Sequence, residues 1–122
     1  MKIFIPYEFT TWNDYIRDER TSLYIANHVK QSEKQIIALT VKDKYKGGYP
    51  VTLLVKPHFK NKRRDLDNYR LKGLIDGLVC AGVIKNDNLT CIDRIILQPV
   101  FTDSEGVEIE IRETKTWQNE KQ

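Results

Sequence analysis

Lys62–Asn88 reads KRRDLDNYRLKGLIDGLVCAGVIKNDN, and the way this stretch folds governs what the rest of the chain can do. Leu71, Leu74, Ile75, Leu78 and Val79 recur at i, i+3, i+4, i+7 and i+8, the stripe of a helix with one buried face. Asp67 or Asn68 can cap its start, and Gly82 stands where a glycine ends a helix. Immediately upstream, Val51–Lys56 is an apolar run stopped by Pro57, which predicts a strand. Downstream, CIDRIILQPVFT (91–102) and VEIEIRE (107–113) read as strands joined by the turn DSEG.

The N-terminal half supplies a short strand over Lys2–Tyr7 and then an amphipathic helix. That helix carries Trp12, Tyr15, Ile16, Leu23, Ala26 and Val29, with Thr10 or Thr11 as its N-cap. In SEKQIIALTVKDK the residues Ile36, Ile37, Thr40 and Val41 keep the helical phase, although their β-branching also suits a strand. Helix is the expectation there, ending before Gly47–Gly48. The last ten residues, 113–122, are expected to fray, with Trp117 available to pack back. The order of elements predicts an α+β fold: one small domain over 1–122, a mixed β-sheet with packed helices.

Composition bounds the function. At 40% hydrophobic and 30% charged, the chain is neither disordered nor membranous in character. No apolar run reaches the roughly 18 residues of a membrane-spanning helix, and Pro6 and Glu8 interrupt the N-terminus too early for a secretory signal. Cys80 and Cys91 sit in no metal-binding or redox spacing, and His28 and His58 form no metal pattern. A reduced, cytoplasmic protein is the expectation.

The net charge of +3 is unevenly placed. Lys56–Lys72 holds seven cations against two acids, while the rest of the chain is slightly acidic. A local excess of this kind is the footprint of a phosphate-binding surface, and equally of a solvated loop. Lys60, Lys62, Arg63, Arg64 and Arg70 are the candidate cations of a nucleic-acid contact.

Asp65 and Asp67 end the basic run. In an extended segment residues two apart share a face, so both carboxylates can converge ahead of the helix. Hard oxygen donors of this kind suit Mg²⁺, which takes one or two carboxylates plus water and phosphate oxygens. Arg64 beside them can hold the phosphate. An Asp that merely caps a helix accounts for the same residues.

The complete run from Arg64 to Asp87 resembles the RusA-type Holliday junction resolvases, intracellular endonucleases of bacteria and their phages. Arg64, Asp65, Asp67, Asn68, Lys72, Asp76, Gly82 and Asp87 fall on that family's pattern. The resemblance covers roughly Val51 to Ile111 and implies a homodimer that nicks four-way or branched DNA with Mg²⁺, Mn²⁺ being possible. It implies no small-molecule cofactor and no membrane. It also implies that Asp65, Asp67 and Asp87 bind metal, that Lys72 is the catalytic lysine, and that Asn68 supports the site. Two positions depart from the pattern: Leu71 stands where the family has its lysine, one place before Lys72, and Asn86 replaces a second aspartate. Lys72 and Asp76 are also spaced as an ordinary helix-surface ion pair.

A helix over 68–81 is about 21 Å long, and residues 82–87 span about 20 Å only if nearly straight. Asp87 therefore rejoins Asp65 and Asp67 by an almost extended return, or completes the site across a dimer. Besides the resolvase, three readings remain: a branched-DNA-binding module that cleaves little, a small-phosphoester hydrolase, and a structural interaction protein.

Overall fold

The computed structural model describes residues 1–116. In chain order its elements are β1 (Lys2–Ile5), α1 (Trp12–Thr21), α2 (Leu23–Thr40), β2 (Val51–Phe59), a 3-10 turn (Leu66–Asn68), α3 (Leu71–Cys80), β3 (Ile92–Leu97), β4 (Val100–Phe101) and β5 (Val107–Glu113). β2 is central. β5 pairs with it antiparallel on one side, β3 and β4 both lie parallel on the other, and β1 closes the far edge of β5. The sheet is mixed and the fold is α+β, as expected.

Alternation along the strands turns Val51, Leu53 and Val55, with Val107, Ile109 and Ile111, into one core with Ile37 of α2 and Leu74 and Leu78 of α3. Helix α2 crosses α3 closely at Gly77: a Cβ there would lie 2.1 Å from the Ile37 Cδ1. α3 ends in a Schellman motif. Val83 N–H donates to the Leu78 carbonyl and Gly82 N–H to that of Val79, with Gly82 at φ +76°.

Several elements differ from expectation, each for a local reason. The strand at 51–56 does not stop at Pro57 but runs to Phe59. His58 N–H points to β5 and bonds the Gly106 carbonyl, so the Pro57 nitrogen points the other way. On that side β3 pairs only as far as Val55 and β4 begins at His58, so no ladder bond is demanded of Pro57. Pro99 likewise splits the 91–102 strand into β3 and β4.

The first long helix is two. Ser22, extended at φ −166°, closes α1 through its N–H and caps α2 by accepting from Ile25 N–H. The break resets the helical phase, leaving Leu23 69% exposed while Ala26, Glu33 and Ile37 form the buried stripe of α2. The helix expected through Ile36 and Ile37 is present as the second half of α2, which ends at Thr40, before the glycines as expected. The opening strand ends at Ile5 rather than Tyr7. Glu113 closes β5, and Thr114 is buried with its N–H on the Pro50 carbonyl, so the expected fraying does not begin there. Trp117 and the residues after it lie outside the described residues. No described helix is long and apolar enough to cross a membrane.

Candidate active site and nucleic-acid surface

β2 delivers the chain into the basic loop, and α3 takes it back to the core. Between them Lys60, Lys62, Arg63 and Arg64 are all exposed. Arg63 N–H donates to Asn61 Oδ1 at 2.9 Å, which tightens the loop, and the Lys62 ammonium lies 5.6 Å from the centre of the half-exposed Phe101 ring. Arg64 is ion-paired with Glu8, both half-exposed. Such an exposed pair is worth little energetically and can be exchanged for another anion.

Asp65 is extended, at φ −89° and ψ 128°, and Asp67 sits inside the 3-10 turn; both are exposed. The two acids therefore do not lie on one extended segment. The turn is closed by Asn68 N–H on the Asp65 carbonyl and Tyr69 N–H on that of Leu66. Neither Asp67 nor Asn68 caps α3: Arg70 occupies the N-cap position without a side-chain bond. Asn68 instead accepts the N–H of Asn13, 3.0 Å away, and so caps the first turn of α1 across 55 residues.

Arg70 corrects an expectation. It does not face solvent as a DNA-contacting cation but is 2% exposed. Its guanidinium is paired with the buried Glu33 of α2, its Nε donates to the Thr10 carbonyl, and it lies 4.5 Å from the Tyr15 ring centre. Thr10 N–H returns a bond to the other Glu33 oxygen at 3.0 Å. This closed ring joins the approach to α1, the middle of α2 and the start of α3, and with the Asn68–Asn13 bond it sets the height at which Asp65 and Asp67 stand. Glu33 was readable as an acid in phase with Ala26 and Ile37, a position that demands a buried partner.

Tyr69 packs beside this ring. Its hydroxyl is buried without a hydrogen-bond partner among the described residues. Burial pushes its pKa up, the nearby Glu33 carboxylate adds to this, and Arg70 opposes it.

Asp65 lines a narrow crevice of about 20 Å³ with Glu8, Arg64, Asn68 and Tyr69. Asp87 lines a separate, shallow depression of about 360 Å³ with Lys72, Asp76, Ile75, Leu89 and Ile95. There the Lys72 ammonium lies 3.6 Å from the Asp76 carboxylate. α3 is shorter than expected, about 15 Å, yet Asp65 and Asp87 do not share a crevice. Among the described residues no three His, Cys, Asp or Glu side chains gather closely enough to hold a metal ion. The donor chemistry still fits Mg²⁺: exposed carboxylate oxygens, two of them contributed by one short turn, are the set this ion takes alongside water and phosphate.

His58, which fits no metal pattern in the sequence, takes a structural place here. At the end of β2 its ring meets the Glu108 carboxylate at 2.7 Å and the Ser104 carbonyl at 3.2 Å, and its side chain is 8% exposed. Only pairing of β2 with β5 brings these groups together.

A small α+β domain that presents a basic loop running into two exposed carboxylates belongs to the class of proteins that handle phosphodiesters. More particularly, a family model described as Endodeoxyribonuclease RusA matches residues 4–112, nearly the whole chain, and the chain belongs to the RusA endodeoxyribonuclease family. It is accordingly an endonuclease, a hydrolase acting on DNA junctions. No curated protein matches it.

Proposed function

We propose that the protein is a Mg²⁺-dependent, structure-selective endonuclease that resolves Holliday junctions by paired symmetric nicks, acting in the cytoplasm as a homodimer. Mn²⁺ is an alternative ion. The observation that carries this reading is the exposed reversal of charge at the end of β2, where Lys60–Arg64 pass directly into Asp65 and Asp67.

Lys60, Lys62, Arg63 and Arg64 meet the phosphate backbones, releasing counterions and making binding strongly salt-dependent. Arg64 exchanges its Glu8 partner for a phosphate oxygen beside Asp65. Asp65 and Asp67 would hold the metal, with Asp87 as the third carboxylate; the chemistry a bound ion would supply there is activation of water and neutralisation of charge on the phosphodiester. Lys72, resting on Asp76, supplies positive charge towards the departing oxygen. Asn68 keeps the acidic turn docked on α1. Two such sites related by a dimer axis suit two nicks of like polarity.

The test is cleavage of a synthetic four-way junction by wild type and Asp67→Asn, with binding measured in parallel. Cutting should fall at least about a hundredfold while binding is retained. Junction binding in EDTA with no nick on adding Mg²⁺ to wild type would instead make the protein a branched-DNA-binding module.

A further inference from the structure

Beside the acidic turn lies a cleft of about 280 Å³ that the scheme above leaves unused. It is lined by Lys60, Asn61 and Arg64 of the basic loop, Ser104 and Glu105 of the β4–β5 turn, His58 and Phe59 at the end of β2, and Glu8, the ion-pair partner of Arg64. Four of its lining residues, Glu8, His58, Phe59 and Arg64, also line the crevice of Asp65, so the two spaces adjoin. Resting on the endonuclease reading, we propose that this cleft receives one unstacked nucleotide flanking the scissile phosphate.

The basic loop and the turn bring unlike chemistry, which sets the direction of the occupant. Lys60, together with Arg64 once it exchanges Glu8 for the phosphate, suits an anion, whereas a carboxylate at Glu105 repels one. Glu105 and Ser104 offer acceptors and a hydroxyl to the edge of a base. The volume is near the lower end for a small-ligand site and suits a single base rather than a base pair. Outside the cleft lining, Phe101, the register partner of Phe59, presents a half-exposed ring with Lys62 over it. Cation and aromatic side by side form the usual platform for an unpaired base.

The cleft is also held open in advance. His58 N–H bonds the Gly106 carbonyl and Thr102 N–H that of Phe59, both at 2.9 Å. The His58 ring is fixed between Glu108 and the Ser104 carbonyl, and the Phe4 ring lies 5.4 Å from it. The turn is thus fastened to the end of β2 on both sides, and a ligand meets a formed wall. Drawing a nucleotide out of intact duplex costs its stacking and pairing, and costs least where the stack is already broken. A four-way branch point breaks it. The cleft therefore gives the enzyme a physical means of favouring junctions over duplex.

The experiment places 2-aminopurine at successive positions around the branch point of a four-way junction and reads its fluorescence on binding in EDTA, where no cutting is needed. Wild type should raise the signal several-fold at one position. Ser104→Phe, which fills the cleft from an exposed turn, should abolish that rise and weaken junction binding about tenfold while leaving duplex binding unchanged. Asp103→Ala, in the same exposed turn but not among the residues lining the cleft, should behave as wild type, and Thr102→Phe repeats the block from a second position should Ser104→Phe fail to fold. An unchanged signal in the filled variants, no responsive position, or an equal loss of junction and duplex binding overturns the proposal. The same samples given Mg²⁺ separate the two readings. A Ser104-dependent signal without nicking sinks the endonuclease reading alone, and nicking without such a signal sinks the cleft alone.

Discussion

Tyr69 shows how one side chain beside the acidic turn responds to its surroundings. Its hydroxyl is buried with no hydrogen-bond partner among the described residues, next to Glu33 and Arg70, and burial first and Glu33 second raise its pKa above the ordinary tyrosine value. A raised tyrosine pKa means the folded state holds the proton more tightly than the unfolded chain. Its contribution to stability is therefore complete below about pH 10 and is lost as pH climbs from there towards the folded value. Tyr69→Phe removes a desolvated hydroxyl and should stabilise the protein by about 1 kcal/mol near neutral pH. It should also flatten the alkaline limb of a melting-temperature profile above pH 10. A loss of stability on this substitution would show that the hydroxyl is bonded in solution. The individual acids and cations of the loop were readable from their order along the chain. Arg70 was not, because exposure cannot be told from charge: seven cations in a row of seventeen look alike until one of them finds Glu33.

Helices α1, α2 and α3 meet at the Glu33–Arg70 pair. Neither charge is tolerable alone in a site of this burial, so Glu33→Gln should cost about 3–5 kcal/mol in a urea melt, because it leaves the guanidinium uncompensated. Glu33→Leu combined with Arg70→Met should recover most of that loss, since Trp12 and Tyr15 already flank the site with aromatic surface. A double variant no better than the single one would mean that the pair holds the fold by more than mutual neutralisation. At this scale legibility followed periodicity. α3 was found from its stripe and its glycine end, and β5 from alternation. The long N-terminal helix was misread because a serine that both ends α1 and starts α2 has no distinctive signal. β2 was cut short because Pro57 is a strand breaker only where its neighbours need its N–H, and here they do not.

At the scale of the whole molecule the separation of Asp65 from Asp87 matters most. They line different depressions of one chain, and the depression of Asp87 is flanked by exposed Leu89 and Ile95. If the proposed homodimer shares its sites, this acid completes the site of the other subunit. Mixed dimers of Asp65→Asn and Asp87→Asn subunits should then regain about half of wild-type cutting from one restored centre. If every mixture stays at the level of the single variants, each site is built within one chain.

What the sequence determined by itself was local. The apolar stripe of α3, the alternation of β5 and the charge reversal at Arg64–Asp65 are each written in a few neighbouring residues, and the family pattern in fixed spacings along the second half. The tertiary structure decided which of those residues meet. It took Arg70 out of solvent and into a ring with Glu33 and Thr10, docked Asn68 on α1, and set His58 between Ser104 and Glu108. These contacts span from 23 to 60 residues, and they depend on strand order and helix crossing, which no local spacing encodes.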